Sequence, residues 1–182
     1  LGASLMPLRR QLLFDVASND KEMVQAIKYI ADVGQRRLAG TETDRTPLVV
    51  IVDETTALLS RGKVAPQLIA LLEMIAQETR KVGVYAMCIG QQFSAETMKT
   101  TARNSFVSML SCRARRDVAR IQSGNIQFAK LAEQLTVGQA VWMAPDGQVK
   151  RLAVPNTTQR HLEAIGSVIA GEYTDITQRN GH

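Results

Sequence analysis

Pro47-Leu48-Val49-Val50-Ile51-Val52-Asp53-Glu54 decides how this chain folds. Five consecutive apolar residues, three of them valine, form a strand, and the lack of polar alternation predicts a strand covered on both faces in a parallel sheet. Pro47 bounds the run on one side and two acids end it on the other.

Working outward, Asn19 and Glu22 supply capping-box chemistry for a helix with Met23, Val24, Ile27, Ile30 and Ala31 on one face, ended by Gly40. Before it, Leu12-Leu13-Phe14 reads as a short strand. Beyond the acids, Pro66 opens a helix whose Leu68, Leu71, Leu72 and Ile75 repeat at the spacing of a buried stripe, and Gly83 closes it. Val84 to Ile89 is the next strand, Ala95 to Thr101 a short helix, Phe106 to Ser111 a further strand, and Arg113 to Ile121 an Arg-rich helix. Gln139 to Met143 and Gln148 to Val154 flank Pro145-Asp146-Gly147 as a β-hairpin. A last helix, capped by Asn156 with Gln159, runs to Ile169 before a polar tail. Strands alternating with helices give an α/β fold with a mostly parallel sheet flanked by helices.

The composition bounds the function. The 182 residues suit one globular domain, and no stretch reaches the ~20 apolar residues of a membrane span. The formal charge of +5 favours an acidic partner such as nucleic acid without requiring one. Cys88 and Cys112 lie in apolar runs with no second pair to make a metal site, so both are expected to be reduced core thiols of a cytoplasmic protein. The opening Leu1-Gly2-Ala3-Ser4-Leu5-Met6-Pro7 carries no initiator Met and no signal-peptide pattern, and the chain is expected to be an internal stretch whose missing portion carries any membrane segment.

Asp53-Glu54 carries the chemistry. Strand ends on one edge of a parallel sheet form the crevice where ligands bind. A carboxylate there can hold Mg²⁺ through water and a following one can orient or deprotonate an attacking water, so Asp53 is assigned to the metal and Glu54 to the water. The plain alternative is a strand leaving the core. One strand on, Gln91 can hold a γ-phosphate or the water through its donor and acceptor atoms, the alternative being a turn contact.

In order, Pro47 to Glu54, Gln77-Glu78-Thr79-Arg80-Lys81-Val82-Gly83-Val84-Tyr85 and Ile89-Gly90-Gln91-Gln92-Phe93-Ser94 resemble successive motifs of the FtsK/SpoIIIE motor domain, a RecA-like ATPase. The resemblance continues through Ser111-Cys112-Arg113, the Ile121-Gln122-Ser123-Gly124 turn and Thr136 to Met143, covering roughly Leu12 to Ile165. It implies a partial RecA-like domain over residues 1–170 and a tail over 171–182. It implies ATP and Mg²⁺ as cofactors of the complete domain, a homo-oligomeric ring, a hexamer in the full-length protein, and double-stranded DNA as cargo. Asp53 then belongs to a Walker B motif, and Arg80 matches an arginine that reaches a neighbour's γ-phosphate, or else is a solvated helix-end residue. Arg61, Lys63, Lys99 and Arg103 fall where the family's DNA-contacting pore loops sit. Arg113, Arg116 and Arg120 share a helix side facing an interface, DNA or solvent.

Three departures stand against the pattern. No Gly-x-x-x-x-Gly-Lys-Ser/Thr phosphate loop occurs, since Gly62-Lys63 is followed by Val64. Gln92-Phe93 replaces the family's Arg-Pro, and the loop after Gly40 is short, which suggests a divergent branch such as one from a conjugative or mobile element. The expectation is a truncated DNA motor, inactive alone. Two alternatives stay open: a non-catalytic docking module and a protein-secretion motor of the same class.

Overall fold

A computed structural model describes residues 12–13, 16–17, 19–60, 62, 64–93 and 98–169. It divides into two units, Asn19–Val154 and the two ends of the chain, Leu1–Ser18 with Pro155–His182.

The larger unit is mixed α/β. Helix α1 (Asp20–Leu38) begins where Asn19 accepts the Glu22 amide, as the capping chemistry predicts. Its Ile27, Ile30 and Ala31 are buried with Met23 and Val24 packed beside them. Strand β1 (Leu48–Val52) leads through the acids into α2 (Thr55–Leu59), and α3 (Ala65–Glu78) follows. The stripe of α3 is buried as its spacing predicts, with Leu68, Leu72 and Ile75 all 2% exposed or less. A 3₁₀ turn (Thr79–Val82) and Gly83 then feed strand β2 (Val84–Cys88). Gly83 takes a φ of +77°, a left-handed conformation that glycine adopts freely.

β1 and β2 pair in parallel, with Leu48 opposite Val84 and Val52 opposite Cys88. Leu48, Val50, Val52, Val84, Ala86 and Cys88 pack into the core that α1 and α3 close, and Thr79 is buried where it meets Gly34. The alternate residues Val49, Ile51, Tyr85, Met87 and Ile89 are 41–55% exposed. The expectation of a strand covered on both faces is therefore corrected: among the described residues helices cover one face, and the apolar second face is open.

Residues beyond Phe106 build a second core, while Met98 and Ala102 belong to the first. Helix α4 (Thr100–Ser105) precedes β3 (Met109–Ser111), α5 (Arg116–Ser123), α6 (Ile126–Glu133), β4 (Gln139–Met143) and β5 (Val149–Ala153). β4 and β5 form the predicted hairpin, with Gly147 at its turn, and β3 adds antiparallel to β4. Phe128, Ala129, Ala132, Leu135 and Val141 lie at its centre with Ala119.

Several local expectations are revised. Leu12 and Leu13 are not in a strand, and Phe14 lies outside the described residues. The helix expected from Ala95 begins instead at Thr100, residues 94–97 being outside the description. Cys112 is exposed rather than a core thiol. In the smaller unit α7 (Gln159–Ile169) is capped by Thr158 rather than Asn156: Thr158 Oγ1 accepts the His161 amide and His161 Nδ1 accepts the Thr158 amide. The tail over 171–182 lies outside the described residues.

Candidate functional site

The parallel register puts the residues after Val52 and those after Cys88 on the same sheet edge. The Ile89 amide donates to the Val52 carbonyl and the Thr55 amide to the Ile89 carbonyl, both at 2.8 Å, extending the pairing past the strands. Thr55, fully buried, also donates its hydroxyl to the Val52 carbonyl at 2.8 Å, and Thr56 Oγ1 donates to the Gln92 carbonyl at 3.2 Å. Gly90 sits inside this clasp, where an added Cβ would lie 2.5 Å from Thr56 Oγ1. Asp53 and Glu54 thus emerge beside Gln91, and the chain brings these three predicted residues to one edge.

Glu54 is the sole described non-glycine residue with positive φ, at φ 51° and ψ 36°. That left-handed conformation costs a residue with a Cβ about 1–2 kcal/mol, and such strain gathers at functional sites. It turns the chain sharply from β1 into α2 while both carboxylates stay half-buried. Asp53 Oδ1 accepts the Glu54 amide at 2.9 Å, which leaves its other oxygen for a further partner. Burial pushes the Cys88 thiol up to about 11, with the Thr55 side chain acting in the opposite direction, so it is an inert packing group at neutral pH.

No group of three or more His, Cys, Asp or Glu among the described residues could hold a metal unaided. Two adjacent strand-end carboxylates fit a magnesium ion, which commonly takes one or two carboxylates and completes its shell with water and nucleotide phosphate.

The remaining predicted residues lie elsewhere. Arg80 is exposed in the 3₁₀ turn before β2, at the opposite end of the strand pair from Asp53. Five residues of strand span roughly 16 Å, so Arg80 cannot serve its own chain's acidic edge. Lys99 is exposed at the start of α4. Arg103 is committed within the protein, donating to the Phe93 and Ile121 carbonyls at 3.2 and 2.7 Å and to Thr100 Oγ1 at 3.0 Å. It ties α4 to the end of α5. Arg61 and Lys63 lie outside the described residues. Of the Arg-rich helix, Arg116 pairs with Glu133 at 2.6 Å and Arg115 with Asp117 at 2.8 Å, both at the surface.

Sequence reasoning passed over Arg37. It is 2% exposed and donates to the Val82 carbonyl at 3.1 Å and the Thr46 carbonyl at 2.8 Å, holding the approaches to β2 and β1 together. Helix α6 was also passed over, although Asn125 capping the Phe128 amide is a local signal for it.

No helix among the described residues is long and apolar enough to cross a membrane. No protein-family model matches the chain, and no curated protein matches it in sequence. The structure of the pCW3 conjugation coupling protein TcpA, a monomer form with ATPγS, is similar over 94% of this chain at a TM-score of 0.73 and 14% identity. This chain spans 53% of that one, about half its length. Two structures of B204 are less similar. The DNA-packaging ATPase of Sulfolobus turreted icosahedral virus is 13% identical over 71% of this chain and 62% of its own, with a TM-score of 0.48. The genome-packaging NTPase of Sulfolobus turreted icosahedral virus 2, with AMPPCP, is 16% identical over 79% and 66%, with a TM-score of 0.49. At the level of fold, then, the chain shares the α/β architecture of the conjugation coupling protein TcpA, and the FtsK-like resemblance of its motifs agrees with that fold.

Proposed function

We propose that this chain is the hydrolytic half of an ATP-driven ring motor that moves double-stranded DNA, in segregation or conjugative transfer. The observation that carries the reading is the Asp53-Glu54-Gln91 edge, clasped by paired strand ends and strained at Glu54. Asp53, in the Walker B position, holds the hydrated metal; Glu54 orients the water and accepts its proton; Gln91 contacts the γ-phosphate. A magnesium ion bound there supplies positive charge to the nucleotide's phosphate oxygens.

The nucleotide cradle is proposed to lie in a segment outside this chain, because no phosphate loop occurs here. The open face of Val49, Ile51, Tyr85, Met87 and Ile89 suits such a segment, and so does the chain's span of 53% of TcpA. Residues 1–170 are accordingly proposed as a partial RecA-like domain with 171–182 as its tail, unable to turn over ATP alone.

Arg80 supports assembly into a ring. Its place at the pole opposite the acids suits a head-to-tail contact in which it reaches the next subunit's nucleotide, and such contacts close into rings such as a hexamer. Lys99, with Arg61 and Lys63, is proposed to touch DNA phosphates; for Arg103 the internal hydrogen bonds favour a positioning role for that surface. Cytoplasmic placement, with membrane association through segments outside this chain, belongs to the same proposal.

ATP hydrolysis by the full-length protein, with and without duplex DNA, tests this reading. Hydrolysis that rises on adding DNA supports it. A full-length protein that hydrolyses no ATP under either condition leaves a docking module, and hydrolysis indifferent to DNA leaves a motor with another cargo.

A further inference from the structure

At the pole opposite the acidic edge lies an open cleft of about 480 Å³ lined by Arg45, Lys81, Val82 and Gly83. Near Gly83 the buried guanidinium of Arg37 donates to the Val82 and Thr46 carbonyls, and its charge also acts on the Asp44 carboxyl. A Cβ built on Gly83 would lie 3.6 Å from Arg37 Nη1 and 3.6 Å from the Arg45 carbonyl oxygen, ordinary contact distances.

The two cations that line the cleft have no ion pair among the described residues. Arg45 makes one hydrogen bond, from Nη1 to the Arg37 carbonyl at 3.1 Å, and Lys81 has no partner among the described residues. Two carboxylates lie nearby in sequence. Asp44 accepts the Thr46 amide at 2.8 Å and hydroxyl at 2.7 Å, bonds that hold its pKa down with help from the Arg37 charge. Glu42 pairs with Arg36 at 3.7 Å and accepts the Asp44 amide at 3.3 Å. Two cations on one cleft without an ion pair favour an anion of more than one charge, and a guanidinium fork with an ammonium suits phosphate oxygens.

We propose that this cleft binds a phosphate group through Arg45 and Lys81. The site stands on its own geometry; only the assignment of its occupant to a neighbouring subunit's nucleotide rests on the ring-motor reading. Terminal phosphates of a nucleotide and phosphodiesters of duplex DNA share the chemistry, and the test separates them.

Amide chemical shifts of the chain are followed by NMR while inorganic phosphate is added, then ATPγS, then a short DNA duplex. Inorganic phosphate is expected to move the Val82 and Gly83 amides saturably, and an Arg45→Ala, Lys81→Ala double variant with an otherwise unchanged spectrum is expected to bind about tenfold more weakly or less. An Arg45→Lys, Lys81→Arg variant should retain binding. ATPγS acting at lower concentration than duplex assigns the site to a terminal phosphate, and the reverse order assigns it to the DNA backbone. No saturable shift with any of the three, or an undiminished shift in the double alanine variant, overturns the proposal. ATP hydrolysis is not the readout, so failure here leaves the motor reading standing and failure of that reading leaves the cleft.

Discussion

Glu54 concentrates the residue-scale argument. Its left-handed backbone turns β1 into α2 at an energetic cost, and glycine would adopt the same turn without a Cβ penalty. Glu54→Gly is therefore expected to raise the unfolding free energy of the chain, by up to about 1 kcal/mol after the extra backbone entropy of glycine is counted. Chemical denaturation measures this directly. A destabilised variant would mean that the Glu54 side chain holds the fold together rather than being carried by it. Nothing in the sequence announces this strain, because Asp-Glu after an apolar run reads the same whether the second acid is helical or left-handed.

At the scale of elements, the two strand ends act as one unit because Gly90 admits Thr56. An alanine at position 90 would place its Cβ 2.5 Å from Thr56 Oγ1 and 3.3 Å from the Thr56 amide. Gly90→Ala should cost about 1–3 kcal/mol by overpacking, and Thr56→Ala should recover part of that loss, since it removes the nearer atom. A double-mutant cycle by thermal unfolding tests the coupling; strictly additive losses would show that the loops do not interlock.

The elements that carry the clasp were legible in sequence because periodicity and turn chemistry agree there. Asn19, Pro66 and Gly83 mark helix and strand bounds, and the stripe on α3 falls where its spacing requires. What sequence did not reveal depends on distant partners. Arg37 looks like any helix-end arginine until Thr46 and Val82 are folded against it, and the pairing of β3 with the hairpin is a tertiary choice. The cap of α7 escaped because His161 takes the place that a capping box gives to Glu or Gln.

For the whole molecule, the open sheet face and the two poles matter most. The apolar run of β1 signalled a strand with two covered faces, and helices cover one among the described residues. A contiguous apolar face is an association surface. The chain by itself is therefore expected to self-associate with rising concentration, and Ile51→Thr with Met87→Thr should weaken that association in sedimentation. A chain that stays monomeric with the face intact would mean that the face is covered by part of the chain itself.

The acidic edge and the basic cleft stand at opposite ends of the same strand pair. If the edge is hydrolytic, its chemistry must separate from nucleotide affinity. Single-turnover ATP hydrolysis by a full-length Glu54→Gln variant, with ATP binding measured alongside, makes that separation. The account predicts hydrolysis slowed by at least about a hundredfold while ATP is still bound, since positioned acid–base groups contribute about 10²–10⁴. Hydrolysis at the wild-type rate would contradict it.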